Sequence, residues 1–70
     1  MNANKLMARL VLSEVTKADL IKSLGISTSC FYNKMNGKSS FTQKEISIIS
    51  KVLSLSQDEI IDIFFEDVVS

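Results

Sequence analysis

Between residues 27 and 40 the chain gathers side chains suited to directional hydrogen bonding: Ser27, Thr28, Ser29, Tyr32 and Asn33, then Asn36, Lys38 and Ser39. On a helix, Phe31 and Met35 lie one turn apart and define an inward face. Ser27, Thr28, Ser29, Tyr32 and Asn33 then point outward. An asparagine amide can make a two-bond contact to adenine, and a threonine can offer its hydroxyl, or its methyl to a thymine. A tyrosine can bond a phosphate or pack on a base. Lys17, Lys22, Lys38, Ser39, Asn36 and the backbone amides near Gly37 are placed around this set to bind phosphates. Such contacts supply affinity and fix register without reading sequence. The outward set holds no Arg or Gln, so base readout would rest on short side chains with modest energy per contact.

Bond-making chemistry has no comparable support. The chain has no His and one cysteine, Cys30, which excludes a Cys/His zinc site and an internal disulfide. Cys30 is expected to be a small, half-buried packing residue. Asp58 and Glu59 belong to a helix cap, and Asp62 and Glu66 to a helix face. Gly37-Lys38-Ser39 is similar to the end of a phosphate-binding loop, but Tyr32 stands where that loop needs its first glycine. No enzyme activity, metal or cofactor is expected.

The elements that must position these residues are helical throughout. A first helix is expected over about residues 4–12, with Leu6 and Leu10 one turn apart. A second begins after Thr16, whose hydroxyl can cap it while Asp19 suits the positive end of the helix dipole. Ala18, Leu20, Ile21 and Leu24 supply its apolar side. Gly25 follows, where a left-handed backbone is cheapest for glycine. The third helix runs from a Ser27 cap to Met35 or Asn36, with Ile26 packing from the turn, and Gly37 ends it. Two short helices around a tight break at Gly25 have the form of a helix-turn-helix, built to place its second helix in a DNA groove. Capping boxes at Thr42–Glu45 and Ser56–Glu59 start the fourth and fifth helices. Phe41 and Leu55 sit at the staple positions before them. Ile46, Ile49, Val52 and Leu53 form the stripe of the fourth helix.

Seventy residues, 46% of them hydrophobic, with two glycines and no proline, describe one all-α domain over residues 1–70 and no linker. Net charge is zero, but unevenly spread. Residues 1–44 hold seven Lys and Arg against two carboxylates; residues 45–70 hold one lysine against six. A polyanion would be drawn to the first part and repelled by the last. No signal peptide and no membrane span are read, and a free thiol fits the reducing cytoplasm, the expected location.

The fifth helix carries more apolar surface than one core-facing stripe needs. Ile60, Ile63 and Phe64 would pack inside, leaving Ile61, Phe65 and Val68 toward solvent unless a partner covers them.

The run LIKSLGISTSCFYNKMNGKSSFTQKEI resembles the phage repressor and Cro class of helix-turn-helix regulators, the lambda-repressor-like or XRE fold. The resemblance rests on Leu20, Leu24-Gly25-Ile26-Ser27, Phe31, Asn36-Gly37-Lys38 and Phe41-Thr42 leading into Glu45-Ile46, and covers nearly the whole chain. It implies a five-helix domain that binds double-stranded DNA through its third helix, as a homodimer on a palindromic operator. Three positions depart from the family. Ile21 stands where alanine is usual. Leu10 and Met35 stand where an Arg and a Glu often pair. Lys34 replaces a large apolar residue, its stem expected to cover the core while its ammonium reaches out.

Two functions follow. One is a sequence-specific transcriptional regulator, a Cro-like repressor of a phage or mobile element. The other is a modulator or antirepressor that keeps the fold but binds a larger repressor protein. The acidic final third and the apolar surplus near Phe65 suit the second.

Overall fold

The computed structural model describes residues 1–65. Five α-helices follow in order: α1 (Ala3–Leu12), α2 (Lys17–Leu24), α3 (Thr28–Met35), α4 (Gln43–Val52) and α5 (Gln57–Phe64). No strand occurs among the described residues. Each helix starts where a short polar side chain replaces a missing backbone acceptor. Asn2, Thr16, Ser27, Thr42 and Ser56 each accept the N–H three residues on. The boxes at Thr42 and Ser56 are complete, with Glu45 and Glu59 each accepting the cap residue's own N–H. The Asn2 cap starts α1 one residue earlier than the apolar spacing suggests.

Helix ends are closed as carefully. After α3, Gly37 donates to the Lys34 carbonyl and Lys38 to that of Asn33. The same pair of bonds closes α1, through Glu14 to Val11 and Val15 to Leu10, and α4, through Ser54 to Lys51 and Leu55 to Ser50. This closure needs a left-handed residue just past the helix. Gly37 supplies it at φ +83°, but Glu14 and Ser54 adopt it at +57° and +54° with a side chain attached. Gly25 takes the left-handed conformation at the end of α2.

These connectors give the chain a hidden regularity. The bounds of α1 and α4, and those of α2 and α5, each differ by 40 residues. The two helical hairpins even touch at corresponding turns, where the Ser13 hydroxyl donates to the Leu53 carbonyl. Among the described residues, α3 and the segment after it have no counterpart.

The core draws on every helix: Leu6 and Leu10, Leu20 and Leu24, Phe31, Ile49 with Leu53 just beyond it, and Ile63. Ile21, Ile26 and Met35 pack against it half-buried. Ala18, expected on the apolar side of α2, is exposed, because Leu20 and Leu24 aim that helix elsewhere. Helix α2 packs on α3 and α4, and α5 on α1 and α4. Helices α1 and α5 run antiparallel, joined by Asn2 N–H to the Ile63 carbonyl at 2.7 Å, by Lys5–Asp62 at 2.7 Å and by Arg9–Glu59. An aromatic ladder crosses the molecule: Phe31 meets Phe41 edge-on at 6.2 Å, and Phe41 meets Phe64 at 6.0 Å. Among the described residues no helix is long and apolar enough to cross a membrane.

Candidate nucleic-acid interface

Helix α3 is anchored by one large side chain. Phe31 is fully buried, and at about 100° per residue this sends Ser29 and Asn33 to the opposite face. Thr28 and Tyr32 fall on the flank toward α2, Cys30 and Lys34 on the flank toward α4. Ser27, Thr28, Ser29, Tyr32 and Asn33 are all exposed. Ser27 caps the helix by accepting the Cys30 N–H at 3.1 Å, so its hydroxyl proton is what it has left to offer a partner. The three-residue turn of Gly25, Ile26 and Ser27 joins α2 to α3. Across it the Lys17 ammonium lies 5.7 Å from the centre of the Tyr32 ring. That contact places a cation from the start of α2 beside the outward face of α3.

Internal ion pairs sort the cations of the first part into two groups. Lys5, Arg9 and Lys34 are matched with Asp62, Glu59 and Glu45. Lys17, Lys22, Lys38 and Lys44 are exposed and form no ion pair among the described residues. The unpaired positive charge of the first part therefore sits on α2, just after α3 and at the start of α4, rather than along α1, and Lys17 brings it beside the outward face of α3. Lys5, on α1, turns to Asp62 of α5.

Three expectations from the sequence are corrected. The amides near Gly37 are not left for phosphate: those of Asn36, Gly37, Lys38 and Ser39 all donate to α3 carbonyls, because they close the helix. The side chains of Asn36, Lys38 and Ser39 remain exposed. Lys34 does not reach out. Its ammonium donates to the Ser40 carbonyl and to Glu45 Oε1, both at 3.0 Å, and lies 5.8 Å from the Phe41 ring centre. Cys30 is exposed rather than half-buried, since it lies well round the helix from Phe31.

Both capping glutamates are held below the usual carboxylate range. Burial works to raise Glu45, but the Thr42 N–H and the Lys34 ammonium outweigh it. The Ser56 N–H and hydroxyl lower Glu59, with a smaller contribution from Arg9.

On α5, Ile61 and Phe65 are 38% and 39% exposed, as the apolar surplus suggested. Val68, the third residue of that set, lies outside the described residues. Phe65 borders a cleft of about 330 Å³ whose opposite wall includes Ser39 and Ser40 of the segment after α3. Sequence reasoning missed a second apolar patch. Val11 and Leu12, 76% and 71% exposed, end α1 on the side away from Leu6 and Leu10. The periodicity of those two leucines was the available signal.

Five short capped helices, with α2 and α3 joined through a left-handed glycine, define a small helical domain of helix-turn-helix type. The chain belongs to the BetR domain family, a family of such small regulatory domains, whose family model matches residues 1–68. No curated protein and no solved structure matches it.

Proposed function

We propose that this protein is a sequence-specific DNA-binding transcriptional regulator, a Cro-like repressor of a phage or mobile element. It acts as a homodimer with α3 in the major groove. The observation that carries this reading is the placement of charge. Among the described residues, Lys17, Lys22, Lys38, Lys44 and Lys51 form no ion pair; of these, Lys17 lies beside Tyr32 on the flank of α3 and Lys38 directly follows that helix, while Lys5 and Arg9 of α1 are matched by α5. Thr28, Ser29, Tyr32 and Asn33, with the Ser27 hydroxyl, meet base edges. Lys17, Lys22, Asn36, Lys38 and Ser39 meet phosphates through their side chains. Ile61 and Phe65 form the contact between two copies, which sets the spacing of two half-sites about one helical turn apart.

Titration against DNA from its own promoter region at two salt concentrations tests this. Specific binding with a log–log salt slope of several units is expected. Asn33→Ala should cost about 1–3 kcal/mol on the preferred sequence and relax discrimination, whereas Lys38→Ala should weaken all sequences alike. No binding to promoter or pooled genomic DNA at low salt refutes the reading. It would favour the second one, a modulator that binds a larger repressor protein, for which the exposed pair Ile61 and Phe65 is the supporting observation.

A further inference from the structure

We infer that Lys34 is a positioning residue. Its ammonium clamps the segment between α3 and α4 and so holds Lys38 and Ser39 in one conformation for phosphate contact. The inference rests on the DNA-binding reading above.

The main chain of this segment is tied down from both ends. The amides of Gly37, Lys38 and Ser39 bond back into α3, and the Thr42 amide bonds forward to Glu45 Oε1 at 2.8 Å. Between them, the Ser40 carbonyl accepts from Lys34. That bond is the one by which α3 reaches the far half of the segment. Packing does not replace it, because Ser39 and Ser40 border the open cleft beside Phe65.

The ammonium is unsuited to a direct phosphate role. The Lys34 and Glu45 side chains are only 12% and 13% exposed, and Lys34 is matched by Glu45, the Ser40 carbonyl and the Phe41 ring. A half-buried charge with its donors engaged fixes geometry instead of attracting a distant anion. Glu45 Oε1 serves two donors at once, Thr42 N–H and Lys34 Nζ, so the clamp and the cap of α4 share one atom. A segment held in its bound shape loses less freedom on binding, which raises affinity without adding a contact.

Electrostatics and positioning predict opposite signs for one variant. Glu45→Gln removes a negative charge near the candidate interface, so attraction alone would tighten DNA binding. It also weakens the clamp while an amide oxygen can still accept from Thr42. The expected result is weaker binding by about threefold, with about tenfold for Lys34→Met, which keeps the aliphatic stem. Both losses should be equal for preferred and unrelated sequences. The double variant should lose less than the product of the two single effects, because both act on one clamp. Amide hydrogen exchange and NMR relaxation at Lys38, Ser39 and Ser40 should show faster exchange and greater mobility in both variants, with the rest of α1 and α5 unchanged.

The inference is overturned if these amides keep wild-type behaviour in both variants. It is also overturned if they loosen while wild-type protein binds DNA and Glu45→Gln binds equally well or better. Loosening in a protein whose wild type binds no DNA would sink the DNA-binding reading, and with it the phosphate role of the segment, while leaving the mechanical hold of Lys34 demonstrated. If Lys34→Met fails to fold, Glu45→Gln alone decides through the sign of its effect.

Discussion

Replacing Glu14 or Ser54 by glycine should make the domain more stable, by different amounts. Each stands just past a helix with φ near +55°, where a Cβ crowds the following carbonyl at a cost of about 1–2 kcal/mol. Glycine removes that cost but gives up more backbone freedom on folding, about 0.5–1 kcal/mol. The difference leaves a gain of about 0.5–1 kcal/mol at Ser54. For a domain of this size that is a rise in Tm of roughly 2–8 °C. Glu14 adds a second effect. Its carboxylate lies beyond the negative end of α1, and removing it contributes about a further 0.3–1 kcal/mol at low salt. Thermal melts followed by circular dichroism, at low and high salt, separate the two effects. Glu14→Gly should exceed Ser54→Gly at low salt, and the gap should narrow as salt screens the charge. Glu14→Ala supplies the charge effect without the backbone relief. If both glycine variants melt at or below the wild-type temperature, the left-handed residues carry no strain and the reasoning fails.

Other outcomes follow from the same contacts. Because Glu45 and Glu59 are held below their ordinary range, their contribution to stability is fully present above the unfolded carboxylate value of about 4.3 and is lost as pH falls through the lower folded values. Tm should therefore be level near neutrality and decline below about pH 4.3, and Glu45→Gln should flatten part of that decline. Phe41→Leu breaks both steps of the aromatic ladder and should cost about 1–3 kcal/mol in urea denaturation. Ile61→Ser with Phe65→Ser should reduce self-association in sedimentation and make Tm independent of protein concentration; a wild-type protein that stays monomeric at high concentration would count against that surface as the dimer contact.

Most of the fold was legible because it is written locally. Ser27, Thr42 with Glu45, and Ser56 with Glu59 each act within three residues, and the spacing of Leu6 and Leu10, or Phe31 and Met35, gives the inward face directly. Long-range partners left no such trace. Lys34 meets a glutamate 11 residues on, and Arg9 meets one 50 residues on, so no spacing rule separates a matched cation from an unmatched one. The candidate site was thus readable in its side chains but not in its charge balance. The engagement of the amides near Gly37 is hidden from the sequence for a related reason. Asn-Gly marks the end of a helix, yet only the closed backbone shows that every donor there is already used. Glu14 and Ser54 gave no warning either, since neither residue type announces a left-handed turn as glycine does.

Tyr32 has an optical consequence. It is the single tyrosine of a chain without tryptophan, so the near-ultraviolet emission of the whole protein arises mainly from one ring. That ring stands exposed on the outward flank of α3, with the Lys17 ammonium over it. The native fluorophore is therefore already installed at the candidate interface. Occupation of that face by a stacked base or a phosphate would change its intensity, while events confined to the α5 surface would leave its emission unchanged.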